Sequence, residues 1–312
     1  MRTGKIAGIF CAVFFCLSLL FSHSAFGQKQ ALDEAKQLNQ KASELYKAGK
    51  YNEAIPYAKQ VLEIYEKILG KDHPNVATSL NNLAGLYKVI GRYSEAEPLY
   101  KRSLEIREKA FGREHPSVAQ SLYNLAGLYA FIGGRYADAE PLHKRALEIY
   151  EKALGREHPS VAQSLISLAG LYESTGRHAE AEPLYKRALE IREKAYGKKH
   201  PAVALILKNL AFLYAATERH PESQNLFKRG ISIDDLMREN VFLLFNEKQK
   251  ISYMNQKEGS IHAFMTHTVK YMQSSSQSIT DTFNAWLKWK GAVAEAQGRY
   301  TSLLYKVHSL SG

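Results

Sequence analysis

Four His-Pro doublets, His73-Pro74, His115-Pro116, His158-Pro159 and His200-Pro201, recur along this chain at steps of 42, 43 and 42 residues. A period of this length indicates stacked supersecondary units, each too small to bury its apolar face except against its neighbours. The segment GREHPSVAQSL is even spelled identically at residues 112–122 and 155–165. The one odd step has a visible cause: Gly133 and Gly134 stand where the preceding unit has the single Gly91. An extra residue in a turn between helices leaves both helices in register, so the array continues.

Each unit reads as two helices. After the first doublet, helix A is expected over residues 74–90, with Leu80, Leu83, Leu86 and Tyr87 on one face and Gly91 closing it. Helix B is expected over residues 93–111, with Ala96, Leu99, Tyr100, Leu104 and Ile106 apolar and Glu105 paired outward with Lys109. Pro56, Pro98, Pro141 and Pro183 fall about one turn inside helix B. There each removes at most one backbone bond, so helix B is expected to run on past it with a slight bend.

The segment LNNLAGLYKVIGRYSEAEPLYKRSLEI resembles the tetratricopeptide repeat, and HPxVAxSLxNLAxLY at this period resembles its longer, kinesin-light-chain-like variant. The resemblance spans about residues 31–233, five units, the first starting near Ala31 and the fifth at Pro201. It implies an all-α solenoid whose small residues, Ala84, Ala96 and Ser103 with their counterparts Ala126, Ala139 and Ala146, then Ala169, Ala181 and Ala188, sit where helices cross closely. The fifth unit departs from the pattern, with Glu218 at the turn glycine, Ser223 and Gly230 at the crossings, and Pro221. Such degradation is expected where an array ends or docks onto something else.

The first 27 residues stand apart. A basic start with Arg2 and Lys5, an apolar run over residues 6–21, and Ala25 and Gly27 before Gln28 have the layout of a signal peptide. The run of 16 residues is shorter than the roughly 20 that a spanning helix needs. Cleavage, export to the periplasm or the extracellular space, and no stable membrane insertion afterwards are therefore expected. Cys11 and Cys16 both lie in the run, which leaves the mature chain without disulfides or thiol chemistry. Removing Arg2 and Lys5 takes the net charge from +11 to +9. The cations are interleaved with Glu throughout, which disfavours nucleic acid as a partner.

The repeated His-Pro histidines are expected to be helix joints. A metal needs its ligands within about 2.0–2.3 Å, whereas equivalent residues of neighbouring units stand roughly 8–10 Å apart. Glu114 and Glu157 beside them are expected to favour the helix N-terminus electrostatically. The stretch YKRSLEIREKAFGREH and its copies read as a solvated convex face. No catalytic residue, metal or cofactor is expected, and the chain is read as a binding protein rather than an enzyme.

One helix A position recurs as polar: Gln40, Asn82, Asn124, Ser167 and Asn209. In related tetratricopeptide repeats Asn at this position contacts bound peptide, so the resemblance implies a peptide-binding groove on the concave face. The alternative role for these amides is to bond the adjacent A helix and hold the stack. Neighbouring groove positions are Asn81, Gly85, Lys88, Tyr123, Gly127, Phe131, Gly170 and Lys208, with Tyr123 and Phe131 expected to line a pocket. The partner is a protein or peptide whose identity the groove does not state.

From about Asp234 the period is lost. Helices are expected there, the last an amphipathic one with Phe283, Trp286, Leu287, Val293, Tyr300 and Leu303 along a stripe, forming a cap on the array. LFNEKQKISYMNQ and FNAWLKWKGAVAEA are similar to the helical segment that precedes the caspase-like CHAT peptidase domain in bacterial tetratricopeptide proteins. This second resemblance, over residues 234–305, implies an alternative in which the chain is the truncated sensor half of such a peptidase system. His262, His267 and His308 carry no assigned role. The organisation expected is a signal peptide over 1–27, repeats over 31–233 and a helical extension over 234–312.

Overall fold

In a computed structural model the protein is described over residues 27–242 and then at 249–250, 262, 264–266, 282, 284–286 and 288–294. The expected signal peptide lies outside the described residues except for Gly27. Over residues 27–242 ten helices follow one another: α1 (27–47), α2 (Tyr51–Leu69), α3 (Pro74–Val89), α4 (Tyr93–Phe111), α5 (Pro116–Ile132), α6 (Tyr136–Leu154), α7 (Pro159–Ser174), α8 (His178–Tyr196), α9 (Pro201–Ala216) and α10 (His220–Phe242). Every described element is helical, and the helices form about five consecutive pairs of the tetratricopeptide-solenoid type. The chain divides into two compact units, Met1–Leu154 and Gly155–Gly312. In the first, α2 packs on α3, α3 on α4, α4 on α5 and α5 on α6, while α3 also touches α5; in the second, α7 packs on α8, α8 on α9 and α9 on α10.

The His-Pro doublets are N-caps. His73, His115, His158 and His200 have extended backbone, and each Nδ1 accepts the backbone N–H two residues on, at 3.1–3.2 Å. The imidazole thus does what a Ser or Asn does at most helix starts, while Pro at the next position gives up an N–H that had no partner. The acidic residues beside the doublets have a more specific role than a field effect. Glu114 pairs with Lys152 at 2.8 Å and Asp72 with Lys109 at 2.6 Å, and Glu157 pairs with Lys194. Each bridge ties the start of an A helix to the last turn of its own B helix. All six side chains are exposed, so water and salt screen each bridge.

Helices α2, α4, α6 and α8 run unbroken through Pro56, Pro98, Pro141 and Pro183. The extra residue of the third unit is absorbed in the turn, where Gly133 and Gly134 have φ of +72° and +71°. Glu218 takes the turn position of the fifth unit at φ +59°, a conformation that costs a side chain about 1 kcal/mol or more.

All nine residues expected at helix crossings are fully buried. Ser103 also bonds there: its hydroxyl donates to the Ala77 carbonyl at 2.7 Å. Beside it the structure corrects the reading of the charged helix B face. Arg107 is only 8% exposed, and its guanidinium donates to the Ser117 carbonyl and Ser121 Oγ, both at 3.0 Å. It bridges α4 to α5 because its planar donors fit a carbonyl and a hydroxyl that small neighbours leave open.

A second link recurs in both units. Glu97 of α4 accepts from Tyr129 Oη of α5 at 2.9 Å and from Arg135 at 2.8 Å, while Lys101 stands 2.8 Å away. Glu182 meets Tyr214, Arg219 and Lys186 in the same way, and Arg135 and Arg219 lie over the Tyr129 and Tyr214 rings at 3.8 and 3.7 Å. The Lys101, Arg135 and Tyr129 donors hold the Glu97 carboxyl down at about 2, and Glu182 sits there too, its donors outweighing the opposing effect of burial.

At the far end Phe264 and Trp289 join Ala211, Phe227 and Ile231 in one buried cluster, with Met265, Trp286 and Val293 packed on it. Arg238 of α10 donates to the Lys288 carbonyl at 3.3 Å. The described C-terminal residues therefore cover the last helix pair. Of the expected stripe, Trp286 and Val293 are only partly buried and Trp289 is the ring that goes in, whereas Phe283, Leu287, Tyr300 and Leu303 lie outside the described residues. His267 and His308 lie outside them as well.

Because Ala126 is fully buried at a helix crossing, Ala126→Leu should destabilise the first unit by about 1–3 kcal/mol through overpacking, read as a fall in the denaturant midpoint. An unchanged midpoint would mean that this crossing has slack.

Candidate functional site

Helices α1, α3 and α5 of the first unit supply the rim of a pocket of about 370 Å³. Asn39, Ala42, Ser43 and Tyr46 come from α1, Asn81, Asn82, Gly85 and Leu86 from α3, and Asn124 from α5. Ala58 of α2 and Tyr100 of α4 line it from the B helices. Its wall is apolar on the B side, and its mouth is rimmed by amides. The Tyr100 phenol is pushed up to about 12 by burial and stays neutral.

The polar ladder divides between its two candidate roles. Asn124 Nδ2 donates to Asn81 Oδ1 at 2.7 Å, and its own Oδ1 accepts from Gln120 at 3.1 Å. That amide ties α5 to α3, so at Asn124 the stack-holding role is met even though the residue also lines the pocket. Asn82 is exposed at the mouth and makes no bond to the described protein. Its donors and acceptors are therefore open to a ligand backbone. Gln40 is exposed, donates to Glu44 of its own helix at 3.1 Å and is not part of the pocket. Ser167 and Asn209 are half-buried on α7 and α9 of the second unit.

One turn along α3 from Gly85, half-buried Lys88 approaches α5 closely. Its amine lies 3.3 Å from where a Cβ on Gly127 would be and 5.6 Å from the centre of the Phe131 ring. Its pKa is lowered by burial. Phe131 is 64% exposed and packs edge-on against Tyr93, whereas half-buried Tyr123 packs edge-on against His143. The two rings expected to share a pocket thus meet different neighbours. Lys208 is no groove residue either, since it is 7% exposed and bonds Asp234 of α10 at 2.9 Å. Gly85 and Gly170 receive the hydroxyls of Tyr100 and Tyr185, 3.6 and 3.5 Å from where their Cβ atoms would be.

The sequence reading missed Asn39, Ser43, Tyr46 and Ala58. The signal was present in the 42-residue comparison: at the position of Ala58 the later units carry Tyr100, His143, Tyr185 and Phe227. Among the described residues no group of three or more His, Cys, Asp or Glu is placed to hold a metal ion, and no helix is long and apolar enough to cross a membrane.

The geometry defines the class: a stack of helix pairs with an amide-rimmed pocket between the A helices α1, α3 and α5. A family profile for the tetratricopeptide repeat matches residues 33–109, 86–152, 131–194 and 161–235, and the chain belongs to that family. It is similar to the solved TPR-like repeats of a kinesin-light-chain-like protein from Podospora anserina, with 30% identity over 64% of this chain and 93% of that one and a TM-score of 0.55. BtubC (BKLC) from P. vanneervenii shares the fold at 19% identity, over 84% of this chain and 92% of that one, with a TM-score of 0.60. A Rap protein complexed with competence and sporulation factor shares it at 17%, over 84% and 76%, with a TM-score of 0.58. No curated protein is significantly similar in sequence.

His143 is 2% exposed with Nδ1 unbonded, and burial, with Lys88 adding to it, holds its pKa at about 4. A histidine that stays neutral in the fold but protonates near 6.5 when unfolded gives the unfolded state more protons as pH falls. Stability should therefore drop between pH 6.5 and 4, and in His143→Phe that contribution to the slope should vanish. Urea midpoints across this range check it, and an equal slope in both proteins would contradict the assignment.

Proposed function

We propose that this chain is an exported scaffold that binds a protein or peptide in the groove between α1, α3 and α5, and that it acts by binding without catalysing a reaction. The pocket of about 370 Å³ carries the reading, because it combines an apolar wall with amides at its mouth, and Asn82 is an amide with no bond to the described protein. Small-ligand and peptide sites have this make-up, with apolar surface supplying affinity and a few polar groups fixing orientation. The kinship with kinesin-light-chain-like repeats and the likeness in fold to a Rap protein solved with a bound factor support it. Gln40, Lys88, Tyr123 and Phe131 would flank the bound chain, and Ser167 and Asn209 would serve the second unit. Export rests on the layout of residues 1–27.

A photo-crosslinking residue placed at Asn39, which is exposed and lines the pocket, should capture a protein or peptide from an extract of the source organism, and the same residue at exposed Lys144 should not. Asn82→Ala should lose that capture with melting unchanged, whereas Asn124→Ala should also lose about 1 kcal/mol of stability because it breaks the bond to Asn81. Equal capture from both positions, or capture that survives both substitutions, would refute a groove-based site. For export, the protein recovered from its host should begin at Gln28 by mass spectrometry; a retained Met1 would refute processing.

A further inference from the structure

The pocket exists because the first of the five repeats lacks a ring that each later repeat supplies. At the second turn of helix B, Tyr100, His143, Tyr185 and Phe227 are each buried against the A helices, with no more than 4% of their surface exposed. The A-helix residue that faces this ring follows it. Gly85 and Gly170 stand beneath the Tyr100 and Tyr185 hydroxyls, and Phe212 packs edge-on against Phe227 at 5.1 Å. In the third repeat the ring is the smaller His143, and the Lys88 amine comes in over Gly127. In the first repeat the same two positions hold Ala58 and Ser43, and both line the pocket.

Resting on the groove reading above, we infer that the vacancy over Ala58 is a receptor for an aromatic side chain of the bound peptide, which enters where the later repeats place their own ring. Three features fit such a guest. Ala42, Ala58 and Leu86 give an apolar floor, and Tyr46 and Tyr100 are placed at the pocket for edge or stacking contacts. The Ser43 hydroxyl stands at the counterpart of Gly85 and Gly170, where the tyrosine hydroxyls arrive in the second and fourth repeats, so it meets the tip of a phenol or indole. The amides of Asn39 and Asn82 at the mouth are suited to the peptide backbone on either side. An aspartate or glutamate would lose its hydration against the apolar floor, which has no cation among its lining residues. A leucine would enter without the ring contacts.

The test uses the full chain and capped pentapeptides Ala-Ser-X-Ser-Ala, with the Asn81, Asn82 and Asn124 side-chain amides followed by NMR. With X as Phe or Tyr the amides should shift saturably, while X as Leu should bind about tenfold more weakly and X as Glu should leave them unmoved. Ala58→Phe, which gives the first repeat a ring of its own, should weaken the Phe peptide about tenfold or more with melting unchanged or raised. Ala58→Leu serves as the check should the larger substitution disturb folding, and it should weaken binding in the same direction. If every peptide shifts the amides alike and neither variant matters, the aromatic receptor is wrong and the groove stands. If no peptide shifts them, the groove reading falls with it.

Discussion

Close approach of helices at residues with almost no side chain is the constraint on which the rest of this structure depends. Ala84, Ala96 and Ser103, and the corresponding residues of the next two units, are fully buried because the backbones on either side leave no room for more. Polar groups trapped between helices brought this near are driven to find protein partners, although His143 Nδ1 and Ser164 Oγ have none among the described residues. That requirement accounts for the Ser103 hydroxyl on the Ala77 carbonyl and for the Arg107 guanidinium on Ser117 and Ser121. It also accounts for the bond between Asn124 and Asn81, where two A helices lie side by side. The polar bonds follow from the packing distance and would not by themselves produce it, since each is worth about 1 kcal/mol net.

The same distance decides what the A helices can present. Where the A-helix residue is a glycine, as at Gly85 and Gly170, a phenol from helix B reaches across to it. Where helix B offers only Ala58 the gap stays open, and the surrounding amides become a rim instead of a lid. Pocket and core are thus made from the same positions, and they differ by which repeat supplies the ring. Glu97 and Glu182, each holding a tyrosine and an arginine, tie their B helix to the A helix that follows and to the turn after it.

Much of this was legible in the sequence because periodicity reports backbone geometry. The His-Pro joints, the helix limits at Pro74 and Phe111, the continuation through Pro98 and the extra glycine at 133–134 all follow from local chemistry, and the structure has each of them. What periodicity does not report is the burial of a particular charge. Arg107 sits in a stretch whose composition matches a solvated helix face and Lys208 stands at an expected groove position, and only the partners Ser117 and Asp234, brought up by tertiary packing, take them inside. The amide ladder was legible as a row but not as two roles, since Asn82 and Asn124 differ only in what lies across from them. The pocket was least visible, because its signal is a missing ring at Ala58 rather than a motif. In the C-terminal segment an amphipathic stripe found Trp286 but not Trp289, whose burial is set by Phe227 and Phe264.

The uniformity of the joints bears on how such a chain can change length. Each A helix from α3 to α9 opens with the same imidazole cap, and α3, α5 and α7 each begin beside an acidic residue bridged to the lysine that ends the paired B helix. Recombination between two of the near-identical stretches at residues 112–122 and 155–165 removes or adds one whole helix pair, and the new junction has the bonds of the old one. The two stretches are thus interchangeable joints, whereas the first repeat, with Ala58, and the capped last one have no such duplicate among the described residues.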